Sequence, residues 1–365
     1  MLSSLFAEAN SFAGKVVVVT GASAGVGRAV AKRFAAGGAA VALIARDADA
    51  LADTEAEIEA VAGKNLAIPA DMADADAVFA AAERIETELG PIELWVNNAM
   101  LTVFSPVWEM APEEFRRVTE ATYLGYVHGT MAALRYMRPR NRGTILQVGS
   151  ALAYRGIPLQ AAYCGAKHAI RGFTDSLRTE LLHEGSAIRL TTVHLPAVNT
   201  PQFDWARTHM EQLPRPVAPV FQPEAIAEQI HRAALRAPRE YWLGRTTAQV
   251  IIGNMIAPGL LDRYLAMVAH KGQQRPHPVP SSRPDNLERP VSGLHRTHGS
   301  FGHEATRRIV AVSGTAARFG WVALVAVAAA GLGWTAAKWS GNRSERRLLG
   351  SVSQRMEGGT HVRSG

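Results

Sequence analysis

Short apolar runs rich in β-branched residues alternate with stretches in which apolar residues recur every three or four positions. Lys15–Thr20 is a short, almost continuous apolar run of the kind that forms a parallel strand buried on both faces, and Val41–Ala45, Ile92–Val96, Gly143–Val148 and Leu190–Leu195 read as further strands. Leu66–Pro69 and Tyr241–Leu243 are shorter examples. Between them, Arg28–Ala36, Tyr163–Leu182 and Glu224–Leu235 have helical spacing. Alternating strands and helices predict an α/β fold over residues 1–247, a Rossmann-like, doubly wound parallel sheet in three layers. Residues 248–270 follow as an amphipathic helical extension, interrupted by Asn254, Asp262 and Arg263.

The pattern then changes. Residues 271–306 are rich in proline and arginine, which predicts a flexible linker, because so few apolar groups cannot offset the entropy of ordering the chain. Phe319–Ala337 carries no charge, and as a helix its 19 residues would span about 28 Å. Trp321, Trp334 and Trp339 lie near its ends, and arginine and lysine flank both sides. Residues 307–347 are therefore expected to form a membrane helix with basic flanks, the alternative being an interfacial or oligomer-packing helix. Residues 348–365 complete the chain as a disordered tail. The first fourteen positions lack the basic and apolar regions of a signal peptide.

The first strand leads into Gly21-Ala-Ser23-Ala-Gly25-Val26-Gly27 and then into a helix. Glycines there permit a tight turn, close approach of phosphates and a helix N-terminus facing an anion. Arg46 ends the second strand, where an arginine accommodates a 2′-phosphate and an acid would hold a 2′-hydroxyl. NADP is thus favoured over NAD, with Asp47 next in sequence keeping NAD open. Ser150 stands at a strand end, Tyr163 follows thirteen positions later, and Lys167 lies one helical turn beyond it. A phenol beside an ammonium and a serine hydroxyl can exchange a proton with a carbonyl or alcohol oxygen.

This set resembles the short-chain dehydrogenase/reductase family over about residues 14–245. The Thr20-Gly-x-x-x-Gly-x-Gly turn, the Asn97-Asn98-Ala99 segment, Ser150 and Tyr163-x-x-x-Lys167 carry the resemblance. It implies an oxidoreductase interconverting a carbonyl and an alcohol by hydride transfer, with Tyr163 as general acid/base and Ser150 and Lys167 in support. Gly21, Ser23, Gly25, Val26, Gly27, Arg46, Asp71, Asn98, Tyr163, Lys167 and Thr200 would hold the cofactor. Asp71 would lie by the adenine, or else cap the helix after it. Thr200 would contact the nicotinamide amide, or else cap the helix before Pro201.

Three positions depart from the family pattern. Met100 and Ala197 replace glycines, and Thr122 replaces an asparagine that supports a water in the proton relay. Thr122 is read as a catalytic relay residue, with packing as the alternative. The departures also motivate a second reading, a catalytically weak nucleotide-binding scaffold tethered to a membrane. Phe203, Trp205, Met210, Trp108 and Tyr154 suggest an apolar substrate, under a lid spanning about 202–222, with ordinary core packing as the alternative. Two-fold association through long helices is common in the resembled family, so a homo-oligomer is expected.

Composition narrows the partners. The chain of 365 residues has a formal charge of +7, but residues 271–365 hold 14 Lys/Arg against 5 Asp/Glu, leaving a slightly acidic body. That distribution gives no footprint for nucleic acid. The single cysteine, Cys164, forms no disulfide framework and is read as a packing residue, and the histidines lack metal-ligand spacing. The expected partners are a small carbonyl or alcohol and a membrane. The expected location is membrane-associated with a cytoplasmic catalytic domain, or cytoplasmic if the helix does not insert.

Overall fold

Four valines and a threonine form β1 (Val16–Thr20), and all five are buried. Their side chains alternate: Val17 and Val19 join one apolar layer with Phe34 and Ile230, while Val16 and Val18 join another with Ile85 and Met137. A strand covered on both faces has no solvent side, which is why its sequence runs apolar without a break. β2 (Ala40–Ala45), β3 (Asn65–Pro69), β4 (Ile92–Asn97), β5 (Thr144–Ser150), β6 (Arg189–Leu195) and β7 (Glu240–Leu243) complete the parallel part of the sheet. Their spatial order is β7-β6-β5-β4-β1-β2-β3, with every neighbouring pair parallel. The order reverses between β1 and β4, so a crevice opens at the carboxyl ends of those strands. This is the three-layer doubly wound fold that the hydrophobic pattern predicts.

α1 (Gly25–Ala35) and α6 (Pro223–Arg236) pack on one face through Phe34, Ile226 and Ile230. On the other face lie α3 (Ala75–Glu88), α4 (Gly125–Arg140) and α5 (Ala161–His183), through Val78, Met137 and Leu177. α2 (Ala48–Glu59) carries Leu51 and Ile58 into the first layer. The helical extension is a pair, α7 (Arg245–Ile256) and α8 (Pro258–Gly272), broken at Ala257 because Pro258 disfavours helix at the residue before it.

The structure is a computed structural model that describes residues 12–61, 63–321 and 334. It separates into two compact units, residues 1–314 and 315–365. In the second unit, residues 315–321 are helical. Most of the apolar run 319–337, and the whole of the tail 348–365, lie outside the described residues. Among the described residues no helix is long and apolar enough to cross a membrane.

The expectation of a flexible linker over 271–306 is corrected. Gln274–Pro278 pairs antiparallel with Gln212–Pro214, and Ala305–Thr306 pairs parallel with Val220–Phe221. Leu287, Val291 and Phe301 are buried, and Arg275 pairs with Asp204 at 3.0 Å. Few apolar groups suffice because prolines already restrict the unfolded chain and the arginines find carboxylate and carbonyl partners on the body. Beyond it, β8 (Ala311–Ser313) adds antiparallel to β7 as the outermost strand of the sheet.

A chain truncated after His270 therefore loses a sheet strand as well as a tail. It exposes the β7 edge beside Trp242 and Leu243, both fully buried in the intact chain. We expect it to melt at least about 5 °C below a chain ending at 321, or to aggregate. Equal melting temperatures in a thermal scan would show that β8 contributes nothing.

Candidate active site

The glycine-turn end of the site is built by close packing that only glycine allows. The chain turns at Gly21 (φ +66°) and enters α1 at Gly25 (φ +55°). A Cβ on Gly27 would lie 2.0 Å from the Gly21 carbonyl oxygen, and one on Gly21 2.9 Å from Ala99 Cα. The loop after β4 is fastened to this turn: the Asn98 backbone N–H donates to Thr20 Oγ1 at 2.9 Å, and its side-chain amide donates to the Thr20 carbonyl at 3.0 Å. A helix start with no side-chain cap at Ala24, set in a glycine turn, suits the diphosphate of a dinucleotide.

At the end of β2, Arg46 points its guanidinium toward the C-terminal segment. It donates to the carbonyls of Asn286 (2.5 Å), Leu287 (3.1 Å) and Glu288 (3.2 Å). Asp71 both caps the turn at Ala73 N–H (3.0 Å) and pairs with Arg117 (2.5 Å). The helix that follows is capped instead by Asp74, which accepts from Ala77 N–H at 3.1 Å, so Asp71 is not its cap and lines the cavity wall.

The other end of the site lies where β5 and β6 stop. Ser150 ends β5, and its Oγ accepts from Leu152 N–H at 3.1 Å. Tyr163 and Lys167 project from the first turns of α5. Burial raises the Tyr163 phenol above its ordinary range, partly opposed by a hydrogen bond with Ser150. Lys167 is buried, which pushes its ammonium down to about 7. Its Nζ donates to Tyr126 Oη (2.9 Å) and to the Val148 carbonyl (2.8 Å), and lies 5.6 Å from the Tyr163 ring centroid. The expected lowering of the phenol by the neighbouring ammonium does not appear, since burial governs both groups.

Tyr126 was not singled out by the sequence, yet it is fully buried and also donates to the Val148 carbonyl at 2.8 Å. Its one available signal is the spacing of four from Thr122, which puts two hydroxyls on one helix face. His194, also missed, lies behind Ser150. Burial drives it down to about 4, so it is neutral, and its Nδ1 sits 3.1 Å from the Ser150 carbonyl.

A cavity of about 470 Å³ joins the two ends. Every residue predicted for the site lines it except Gly27, which packs beneath the turn, and Thr122. Thr122 is fully buried; its Oγ1 accepts from Leu101 N–H (2.9 Å) and donates to the Leu101 carbonyl (3.0 Å). With its one proton spent on Leu101, it clamps a loop and does not face the relay, so the reading of Thr122 as catalytic is corrected. It sits in a π-helical turn, Glu120–Leu124, ahead of α4.

Phe203 and Trp205 line the cavity. Trp108 is 86% exposed and does not. Tyr154 is buried away from it, donating to Glu240 at 2.6 Å. Met210 belongs to a core with Phe104 and Phe301, so the expected lid is anchored by packing. Cys164 is buried, which pushes its thiol up to about 11, against nucleophilic use. Among the described residues no group of acidic, histidine or cysteine side chains could hold a metal.

Comparison with known proteins agrees with this architecture. The uncharacterized oxidoreductase YxnA of Bacillus subtilis is 28% identical over 320 residues, 85% of this chain and 90% of that protein. The fatty acyl-CoA reductase of Acinetobacter baylyi is 30% identical over 240 residues, covering 65% of this chain and 78% of its own. Among solved structures, a short chain dehydrogenase from Mycobacterium paratuberculosis bound to NAD matches with TM-score 0.54, 26% identity and coverage of 61% and 92%. A metagenomic short-chain oxidoreductase in complex with NADP matches with TM-score 0.52, 28% identity and coverage of 61% and 91%. The family model for short chain dehydrogenases matches residues 15–211, more than half of the sequence, and the chain belongs to that family of oxidoreductases.

Proposed function

We propose that the protein is an NADP-dependent oxidoreductase that interconverts a carbonyl and an alcohol on an apolar substrate. The observation that carries the reading is the single cavity with the glycine turn at one end and Ser150, Tyr163 and Lys167 at the other. NADP, when bound, supplies or accepts the hydride. The glycine turn, Ser23, Val26 and Asn98 would hold its diphosphate side, Arg46 its 2′-phosphate, Asp71 its adenine, and Thr200 and Lys167 its nicotinamide end.

The chain's own groups do the rest. Tyr163 keeps its proton at neutral pH because its pKa is raised, the form that donates to a carbonyl oxygen. Ser150 shares a hydrogen bond with that phenol and can donate to the same oxygen as charge develops on it. Leu152, Ile157, Phe203, Trp205, Leu265 and Val268 line the same cavity as these hydroxyls, which favours an aliphatic or aromatic carbonyl over a sugar. The similarity to a fatty acyl-CoA reductase points the same way.

The test is NADPH oxidation against carbonyls of graded chain length and polarity. We expect turnover that improves with apolar chain length. Tight NADPH binding with no turnover anywhere on the panel would favour the scaffold reading.

Cofactor choice has its own test. Arg46→Ala should weaken NADPH about 10- to 100-fold by removing a charge-assisted phosphate contact, and move NADH less than about 3-fold. Equal losses for both cofactors in a binding titration would remove Arg46 from the phosphate site.

A further inference from the structure

Residues 283–301 lie outside the part of the chain matched by the family model, yet they cross the groups proposed to bind the cofactor. The segment is anchored at both ends. The Arg283 guanidinium donates to the carbonyls of Ala206 (2.5 Å) and Phe203 (3.2 Å), and Asp285 pairs with Arg207 at 3.1 Å. Asp285 also accepts from Leu287 N–H at 3.0 Å, and Leu287 is fully buried in a cluster with Leu101 and Val118. At the far end, Gly299 N–H donates to the Asn199 carbonyl (3.2 Å), and Phe301 N–H donates to Asn199 Oδ1 (2.9 Å).

Between these anchors the segment holds three groups of the proposed cofactor site. The carbonyls of 286–288 take the Arg46 guanidinium, and Arg117 Nε also donates to the Leu287 carbonyl at 3.2 Å. His295 Nδ1 lies 3.2 Å from Ser23 Oγ, and its Nε2 lies 3.2 Å from Asp47 Oδ2. The Arg296 carbonyl accepts from Gly25 N–H at 3.0 Å, at the start of α1. Arg28, on the first turns of α1, donates to the His295 carbonyl at 3.2 Å, and the His295 ring lies against Trp205 with centroids 4.9 Å apart and planes tilted by 41°.

The strap carbonyls take three of the five guanidinium N–H groups of Arg46, both on Nη1 and one on Nη2, so a 2′-phosphate that engages the Nη1–Nη2 edge must displace them. We propose that residues 283–301 are a strap that sets cofactor entry and choice: it holds Arg46 through three backbone carbonyls, and a 2′-phosphate binds by displacing them. The inference rests on the dinucleotide reading above and adds to it a specificity element from the C-terminal extension. Only a cofactor carrying the 2′-phosphate gains the Arg46 contact that offsets the loss of the strap's hydrogen bonds.

The test is stopped-flow mixing of the full-length protein with NADPH and with NADH, alongside Asp285→Ala and Leu287→Ala, which loosen the strap without touching the proposed site residues. Hydrogen exchange over 283–301 checks that each variant has loosened it. We expect the wild-type NADPH association rate to level off with concentration at the rate of strap release. Both variants should raise that plateau about 10-fold, and NADH, whose diphosphate must also uncover Ser23 and Gly25, should level off and respond alike, so that the Arg46 contact separates the two cofactors in affinity and not in entry rate. A wild-type NADPH rate linear in concentration overturns the strap. So does faster exchange in the variants with unchanged NADPH kinetics. If neither cofactor binds the wild type at all, the dinucleotide reading itself is wrong, an outcome distinct from cofactor binding with linear kinetics.

Discussion

Tyr163→Phe should lower carbonyl reduction by about 10²- to 10⁴-fold, the range spanned by positioned general acids. The substitution removes one hydroxyl and keeps the ring, so it isolates the proton from the packing. Lys167 Nζ stands 5.6 Å from the centre of that ring and makes its two hydrogen bonds elsewhere, to Tyr126 and Val148. NADPH affinity should therefore change less than about 3-fold and the melting temperature by less than about 3 °C. The raised phenol also fixes the direction of the pH dependence. Reduction needs the protonated phenol, which persists through neutrality, so Tyr163 imposes no fall in reduction rate between pH 6 and 9. Oxidation of the alcohol needs the deprotonated form, so its rate should climb up to about tenfold per pH unit over the same range. Steady-state kinetics in both directions test this. Reduction by the phenylalanine variant within about tenfold of wild type would be incompatible with Tyr163 as the acid.

How far the sequence shows this arrangement depends on what kind of group does the work. β1 and β2 are visible because strands buried on both faces are predominantly apolar, as Val16–Val19 and Ala40–Ala45 are, whereas β4, β5 and β6 carry polar residues such as Glu93, Gln147 and His194 and are visible only from their short β-branched or aromatic runs. Ser150, Tyr163 and Lys167 are visible because the roles proposed for them belong to side chains at fixed spacings from strand ends. Thr122 shows the limit of that logic. Its position relative to the family pattern suggests a relay, but whether a hydroxyl faces a cavity or a neighbouring backbone depends on the path of the 101 loop, which no local spacing encodes.

The strap is harder still to see. Over 283–301 its apolar contacts come from Leu287, Val291 and Phe301, at intervals matching neither a strand nor a helix. Its contacts to Arg46, Gly25 and Arg28 are made by backbone carbonyls. Carbonyls are common to every residue, so composition reads the segment as unstructured. Trp108 is the opposite error: an aromatic side chain suggests a pocket wall, and the tertiary fold leaves it in solvent.

Lys167→Met should abolish measurable turnover while making the fold more stable, and the pH dependence of the second effect identifies its cause. In the native state burial holds the Lys167 ammonium at about 7, against an ordinary value near 10.4 in the unfolded chain. Below about pH 7 both states carry the proton, and the full cost of burying the cation is present. Between about 7 and 10 the unfolded chain binds a proton that the native one does not, so native stability rises with pH through that window. Methionine has similar length, no charge and no donor to satisfy. The Val148 carbonyl keeps Tyr126 as a donor when the lysine is gone, so the change leaves no orphaned acceptor there. The variant should melt about 2–4 °C above wild type at pH 6, with the gap closing as pH approaches 10. Turnover should fall at least about 100-fold, because the cavity loses the group proposed to hold the nicotinamide end and the cation beside Tyr163. A methionine variant less stable than wild type at pH 6 would mean that Lys167 is a net structural support. A methionine variant more stable at acid pH identifies lower stability there as the cost the fold bears to keep a cation beside the proposed chemistry.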